Sequence, residues 1–161
     1  MPDLVYISLG TNLGDRLANL KAARAALAPA VQLMACSRVY QTPPWGYLEQ
    51  PAFLNQVVKG ETSLLPEDLL DFLKQLEVRL GRRPAPRYGP RVIDLDILFY
   101  ADLIIDTPDL SIPHPHLAER AFVLVPLADL DPSLRHPLLG TTVRELLDSV
   151  EQAGIEPYPQ P

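Results

Sequence analysis

Residues 66–81 carry the sharpest helix signature in the chain, and the runs on both sides of it carry the opposite period. Pro66 suits a first helical turn, Glu67 and Asp68 complement the helix dipole, and Gly81 suits the stop. Leu69, Leu73, Leu76 and Leu80 form an apolar stripe with Phe72 beside it. Phe53 to Glu61 before it, and Val92 to Tyr100 (VIDLDILFY) after it, are short runs rich in strand formers. The first third of the chain has the same grammar. Leu4 to Leu9 reads as a strand ended by Gly10, and Asp15 caps a helix through Leu17, Leu20, Ala23 or Arg24, and Leu27 to Pro29. Val31 to Tyr40 reads as a second strand, broken by Thr42-Pro43-Pro44-Trp45-Gly46, which opens a loop to about Pro51. The order strand–helix–strand–strand–helix–strand predicts an α+β fold of ferredoxin-like βαββαβ type: an antiparallel sheet with helices packed on one face. Beyond Pro113 follow a loop with two histidines, an apolar segment Ala121 to Leu130, and a helix expected over Val143 to Gln152.

With 161 residues, 47% of them hydrophobic, and neither an internal repeat nor a dividing linker, one domain over 1–161 is expected, with 155–161 a frayed tail. A net charge of −6 argues against a nucleic-acid partner. No apolar stretch reaches the roughly 18 residues that would span a bilayer. Cys36 is the single cysteine, so no disulfide can form within the chain, and its setting suggests a small buried hydrophobe. A monomer in the reducing cytoplasm, acting on small molecules, is the expectation.

Asp94-Leu95-Asp96 is the most chemically pointed pattern. Side chains alternate along a strand, so the two carboxylates share a face, roughly 6.6 Å apart along the backbone. Two acids leaving an apolar strand together repel each other unless a cation sits between them, and magnesium carrying nucleotide phosphates would supply it. The plainer alternative is a pair of solvent-facing acids. Just ahead lie five arginines, at 79, 82, 83, 87 and 91, with no acid among them. That segment fits either a solvated loop or a compact polyphosphate ligand. Gly10-Thr11-Asn12-Leu13-Gly14 lacks the Gly-Lys-Ser/Thr of a P-loop and reads as a tight turn leading into a helix. In Pro113-His114-Pro115-His116 no cysteine or third histidine stands near enough for zinc; His114 suits a phosphate better. Trp45, Phe53 and Phe122 suit either core or stacking on a flat heterocycle with Asn55 reading its edge, and core is the favoured reading for the two phenylalanines.

Taken together, GTNLGD (10–15), YQTPPWG (40–46), FLNQVV (53–58), LEVRLGR (76–82), RYGPRVIDLDIL (87–98) and IPHPHLAERAFVLVPL (112–127) resemble one family, the 6-hydroxymethyl-7,8-dihydropterin pyrophosphokinases of folate synthesis. The resemblance implies that Asp94 and Asp96 hold two magnesium ions on the phosphates of ATP. It implies a pterin pocket of Thr42, Pro43, Trp45, Phe53, Asn55 and Phe122, the two phenylalanines sandwiching the ring. It places Glu77, Arg82, Arg87, Tyr88, Arg91, Ile97, His114 and Arg120 on ATP, with Arg82 and Arg91 stabilising charge during transfer. Lys74 stands where some members have a glutamine near the nucleotide. The segments around 44–51 and 82–90 resemble the family's lids.

The implied reaction is in-line attack of the pterin hydroxymethyl oxygen on the β-phosphorus of ATP, with AMP leaving and no covalent intermediate. Two other readings compete. A non-catalytic nucleotide sensor of the same fold would use the acids and arginines but leave Trp45, Phe53 and Asn55 without a purpose. An RNA-binding module is opposed by the acidic balance.

Overall fold

Alternation along β1 (Asp3–Thr11) divides the molecule into two layers of packing. Val5, Ile7 and Leu9 point into one apolar core, while Leu4 and Tyr6 join a second core on the opposite face. In the computed structural model, which describes residues 2–43, 49–81 and 91–159, the first core is roofed by α1 (Arg16–Leu27) and α2 (Pro66–Arg79). Leu20, Ala23 and Leu27 of α1, and Leu69, Leu73 and Leu76 of α2, are buried there. Burying a leucine stabilises by about 1.5–3 kcal/mol, so these two stripes hold the helices in place. The expected helix signals are present: Asp15 accepts the Ala18 amide at 3.1 Å, Pro66 opens α2, and Gly81 follows it at φ +109°.

Between them run β2 (Val31–Cys36), β3 (Tyr40–Thr42) and β4 (Phe53–Thr62), and β5 (Asp94–Tyr100) follows α2. The chain continues through β6 (Ile105–Asp106) and β7 (Ser111–Ile112), α3 (Ala121–Leu130), α4 (Val143–Asp148) and β8 (Glu156–Pro157). The main sheet is antiparallel, in the order β5-β1-β4-β3-β8, with β2 also pairing along β4. This is the α+β, ferredoxin-like arrangement with additions.

The additions correct the simpler expectation. The sheet is covered on both faces: Val123, Leu124 and Leu127 of α3 with Val143, Leu146 and Leu147 of α4 fill the second core against Tyr6, Val57 and Phe99. Val31 to Tyr40 is two strands, because Ser37 interrupts it: its Oγ accepts the Val57 amide at 3.0 Å where a backbone carbonyl would otherwise stand. The last helix stops at Asp148, four residues short of Gln152, with Thr142 and Glu145 forming a capping box at its start. Cys36 is exposed, being the last residue of β2. Residues 156–158 are not frayed. β8 pairs with β3, the Tyr158 amide donates to Val39 O at 2.8 Å, and the Arg16 guanidinium lies 5.3 Å from the Tyr158 ring centre. Pro157 lacks an amide proton, which an edge strand tolerates.

Candidate active site

Ser8 and Gly10 continue the outward face of β1 beyond Tyr6, and between them they offer almost no side chain. A cavity of about 300 Å³ lies over them, walled by β3, β4, β5, the loop after β7 and the start of α3. Strand register sets its plan. Gly10 is paired with Asp94 on one side and Asn55 on the other, and Ser8 is paired with Asp96. A Cβ at position 10 would stand 3.1 Å from Asn55 Oδ1, closer than ordinary contact, so the space exists because residue 10 is glycine.

Over β5 the wall is charged. Asp94 and Asp96 both line the cavity, as alternation requires, while Leu95 turns into the first core. The Leu95 amide, on the open edge of β5, donates to Glu77 Oε2 of α2 at 2.8 Å. Further along, register passes from Ile7–Ile97 to Tyr6–Phe99, leaving Leu98 as the extra residue of a bulge. The bulge lets Leu98 and Phe99 both join the second core. Leu98 O accepts the His114 amide at 3.1 Å, which brings the histidine loop to the cavity. Burial, with the positive charge of Arg120 and His116 nearby, lowers the His114 pKa to about 4, against the opposing pull of Asp94. His114 Nδ1 accepts the His116 amide at 3.2 Å, so the proton of the neutral ring is on Nε2. Arg91 and Arg120 complete this charged half.

Over β4 and β3 the wall is aromatic and neutral. Asn55 donates from Nδ2 to Thr42 Oγ1 at 2.7 Å, both residues being buried, and Phe53, Pro43 and Phe122 stand around them. Pro43 is braced from behind by Gly154, whose Cβ, if it had one, would lie 2.8 Å from Pro43 Cγ. The Arg120 guanidinium is 5.6 Å from the Phe122 ring centre. Helix α3, which carries Phe122, is tied down at its far end. Tyr40 donates to Asp129 at 2.7 Å, Lys59 to Asp131 at 2.8 Å, and Tyr6 also donates to Asp131. Burial and the Asp129 bond push the Tyr40 hydroxyl up to about 12.

Of the residues expected at the site, Thr42, Pro43, Phe53, Asn55 and Phe122 meet Arg91, Asp94, Asp96, His114 and Arg120 around this one cavity. Phe53 and Phe122 are only partly buried, so their rings form wall rather than closed core. Three expected nucleotide contacts are placed elsewhere. Ile97 is 5% exposed in the first core, Glu77 is buried on the Leu95 amide, and Lys74 is exposed on α2. Trp45, Arg82, Arg87 and Tyr88 lie outside the described residues. Ser8, Gly10 and Leu98 were not anticipated. Gly10 had a signal, a strand-ending glycine beside a polar turn, whereas the bulge at Leu98 had none.

Residues 6–132 match the family model of 7,8-dihydro-6-hydroxymethylpterin-pyrophosphokinase. Over 153 residues the chain is 44% identical to the 2-amino-4-hydroxy-6-hydroxymethyldihydropteridine pyrophosphokinase of Methylorubrum extorquens, covering 94% of this chain and 96% of that one. The enzyme of the same name from Pseudomonas aeruginosa is 44% identical over 157 residues, with 96% of each chain covered. A folic acid synthesis protein of Dictyostelium discoideum is 42% identical over 94% of this chain, which spans only 23% of that protein's length. The wild-type Plasmodium falciparum HPPK-DHPS crystal structure superposes with a TM-score of 0.76 at 18% identity, over 92% of this chain and 44% of that one, a likeness of fold. On sequence over nearly its whole length, the chain belongs to the 7,8-dihydro-6-hydroxymethylpterin-pyrophosphokinase family.

Proposed function

We propose that this cavity is where the pyrophosphokinase carries out its reaction, the transfer of the ATP diphosphate to 6-hydroxymethyl-7,8-dihydropterin in folate biosynthesis, giving AMP and the pterin diphosphate. The observation that carries the proposal is the division of the cavity across four strands. Charge lies over β5, a neutral aromatic slot lies over β4 and β3, and the bare floor of β1 lies between. The pterin occupies the slot, with Phe53 and Phe122 against its faces and Asn55, oriented by Thr42, on its polar edge. Pro43 completes the slot, and the family resemblance assigns Trp45, outside the described residues, to the same ligand. The phosphates of ATP occupy the charged half, where Arg91 and Arg120 offset their charge and a neutral His114 donates from Nε2. To Arg82, Arg87 and Tyr88, which lie outside the described residues, the family resemblance assigns a part in binding ATP. The hydroxymethyl oxygen and the β-phosphorus then meet over Ser8 and Gly10, where no side chain obstructs in-line approach.

Magnesium fits the donor set. Asp94 and Asp96 are hard oxygen ligands side by side on one wall, paired across the ladder with Gly10 and Ser8. That is the pattern of an ion held by one or two carboxylates together with substrate phosphates. We propose two such ions, for which Asp94 and Asp96 would be the protein ligands; when bound they would offset the negative charge of the phosphates. Glu77, Ile97 and Lys74 do not line the cavity, and their contact with ATP is proposed on the family resemblance alone. Among the described residues no helix is long and apolar enough to cross a membrane. A cytoplasmic monomer without a nucleic-acid partner completes the proposal.

Product analysis tests it. With ATP, magnesium and the hydroxymethyl dihydropterin, one AMP is expected for each pterin diphosphate. Formation of ADP would mean single-phosphoryl transfer and overturn the reading, and nucleotide binding without turnover would favour a sensor.

A further inference from the structure

The segment after α4 runs from one core to the other around the β3 edge of the sheet. It leaves the second core at Val150, which packs there beside Leu146 and Leu147, and joins the first at Tyr158. On the way Gly154 takes φ +82°, a conformation that favours glycine. It passes so close to Pro43 that a Cβ on Gly154 would stand 2.8 Å from Pro43 Cγ and 3.2 Å from Cδ. β8 then lies along β3, with Tyr40 opposite Pro157 and Gln41 opposite Glu156, and the Tyr158 amide donates to Val39 O at 2.8 Å. Arg16 of α1 fastens this pairing. Its guanidinium lies 5.3 Å from the Tyr158 ring centre, and its Nη1 donates to Gln41 Oε1 at 3.2 Å. Pro43 lines the cavity, but Gly154, Tyr158 and Arg16 do not.

β3 needs such support. It is three residues long, and its last residue, Thr42, orients Asn55 and leads into Pro43. From this geometry we infer that residues 154–158 are a positioning strap for the pterin slot, holding β3 and Pro43 at a fixed depth against β4. The inference rests on the assignment of that slot given above. Its physical basis is preorganisation: a wall ordered before the ligand arrives does not have to be ordered by it. Gly154 sets the limit on one side, because any larger residue there drives Pro43 toward the slot. Tyr158 sets it on the other, because its loss frees β8 and lets Pro43 retreat.

The test titrates 6-hydroxymethyl-7,8-dihydropterin into the full chain with magnesium and a saturating non-hydrolysable ATP analogue, and titrates the analogue separately. Gly154→Ala should weaken pterin binding by about tenfold, the scale of an overpacked carbon. Nucleotide affinity should stay within about twofold. Gly140→Ala is the control for backbone strain: its φ is +75° and nothing stands within 4 Å of its added carbon. It should lower the melting temperature and leave pterin affinity unchanged. Tyr158→Ala should weaken pterin binding as well, and Tyr158→Phe, which keeps the ring beside Arg16, should restore it. The strap is overturned if folded Gly154→Ala binds pterin normally, or if Gly140→Ala weakens it equally. Where Gly154→Ala does not fold, normal pterin binding by Tyr158→Ala overturns it instead. Asn55→Ala separates the two ideas. A pterin affinity unmoved by that change overturns the slot and the strap with it, whereas a loss there with none at Gly154 and Tyr158 overturns the strap alone.

Discussion

Glu77 and Leu95 meet at 2.8 Å between a helix and a strand edge, and that bond lies behind the two aspartates. Leu95 N–H faces outward from β5, the edge strand of the sheet, at a buried position, and among the described residues no further strand lies beyond it. Glu77→Ala should lower stability by about 1–3 kcal/mol, the cost of leaving a buried amide unmade. Glu77→Gln, which keeps an acceptor, should recover most of it. Denaturant unfolding of the three proteins checks this; equal losses for both variants would place the role of Glu77 elsewhere.

The aspartates carry the opposite expectation. Asp94→Asn and Asp96→Asn preserve size but remove charge that magnesium requires, so each should cut turnover by orders of magnitude and raise the magnesium needed. Stability of the apo-protein should hold or rise, since one of two like charges on a strand has gone. Turnover against magnesium concentration, beside melting temperatures, decides. Near-normal activity at limiting magnesium in either variant would remove that residue from the metal site.

In the slot, Asn55→Ala should weaken pterin binding about ten- to a hundredfold and nucleotide binding little, because a buried polar edge costs about 1–3 kcal/mol when its partner is lost. Equal losses for both ligands would indicate a folding defect.

Gly10→Ala makes a sharper version of the same test. Its added carbon presses on Asn55 Oδ1 at 3.1 Å, so pterin affinity should fall while the fold survives. Gly60→Ala is the contrasting control: its carbon would lie 2.8 Å from the Gln32 carbonyl in the sheet, so stability should fall instead. A Gly10→Ala protein that binds pterin normally would show the floor to be roomier than the structure indicates.

His114 gives a pH signature. Its folded pKa, about 4, lies below the usual 6.5, so the unfolded chain binds the extra proton first as pH drops. Its contribution to stability is complete above about 6.5 and is lost as pH falls toward 4. His136, also lowered by burial, acts in the same direction. His114→Gln should therefore flatten part, not all, of the fall in apo-protein stability over that window. Parallel stability curves for the two proteins would refute the assignment.

How much of this was legible in the sequence follows from what each signal depends on. Helices α1 and α2 were readable because one face is buried and the other wet, which imprints a period on the residues. Helix α3 was not: AFVLVPLADL is apolar on nearly every side and contains Pro126, so it carries no period to distinguish helix from strand. With α3 unrecognised, the second core and the second layer stayed hidden. Asp94 and Asp96 on one face followed from strand alternation alone. The bulge at Leu98 did not, because an extra residue in a ladder depends on the partner strand, and it is the bulge that puts Leu98 and Phe99 together in the second core. The order of the tail is hidden for a similar reason: EPYPQP looks unfit for structure until β3 presents an edge to it.

The floor of the cavity has a bearing on inhibition. Because Ser8 and Gly10 contribute almost no side chain, a molecule lying there rests largely on main chain, which no point mutation can delete. Resistance can arise at the floor only by adding atoms, and on the proposed arrangement added atoms obstruct the meeting of the two substrates as much as the drug. The removable contacts are the walls, Phe53 and Phe122, so compounds that draw their affinity from the floor leave the enzyme fewer ways to escape.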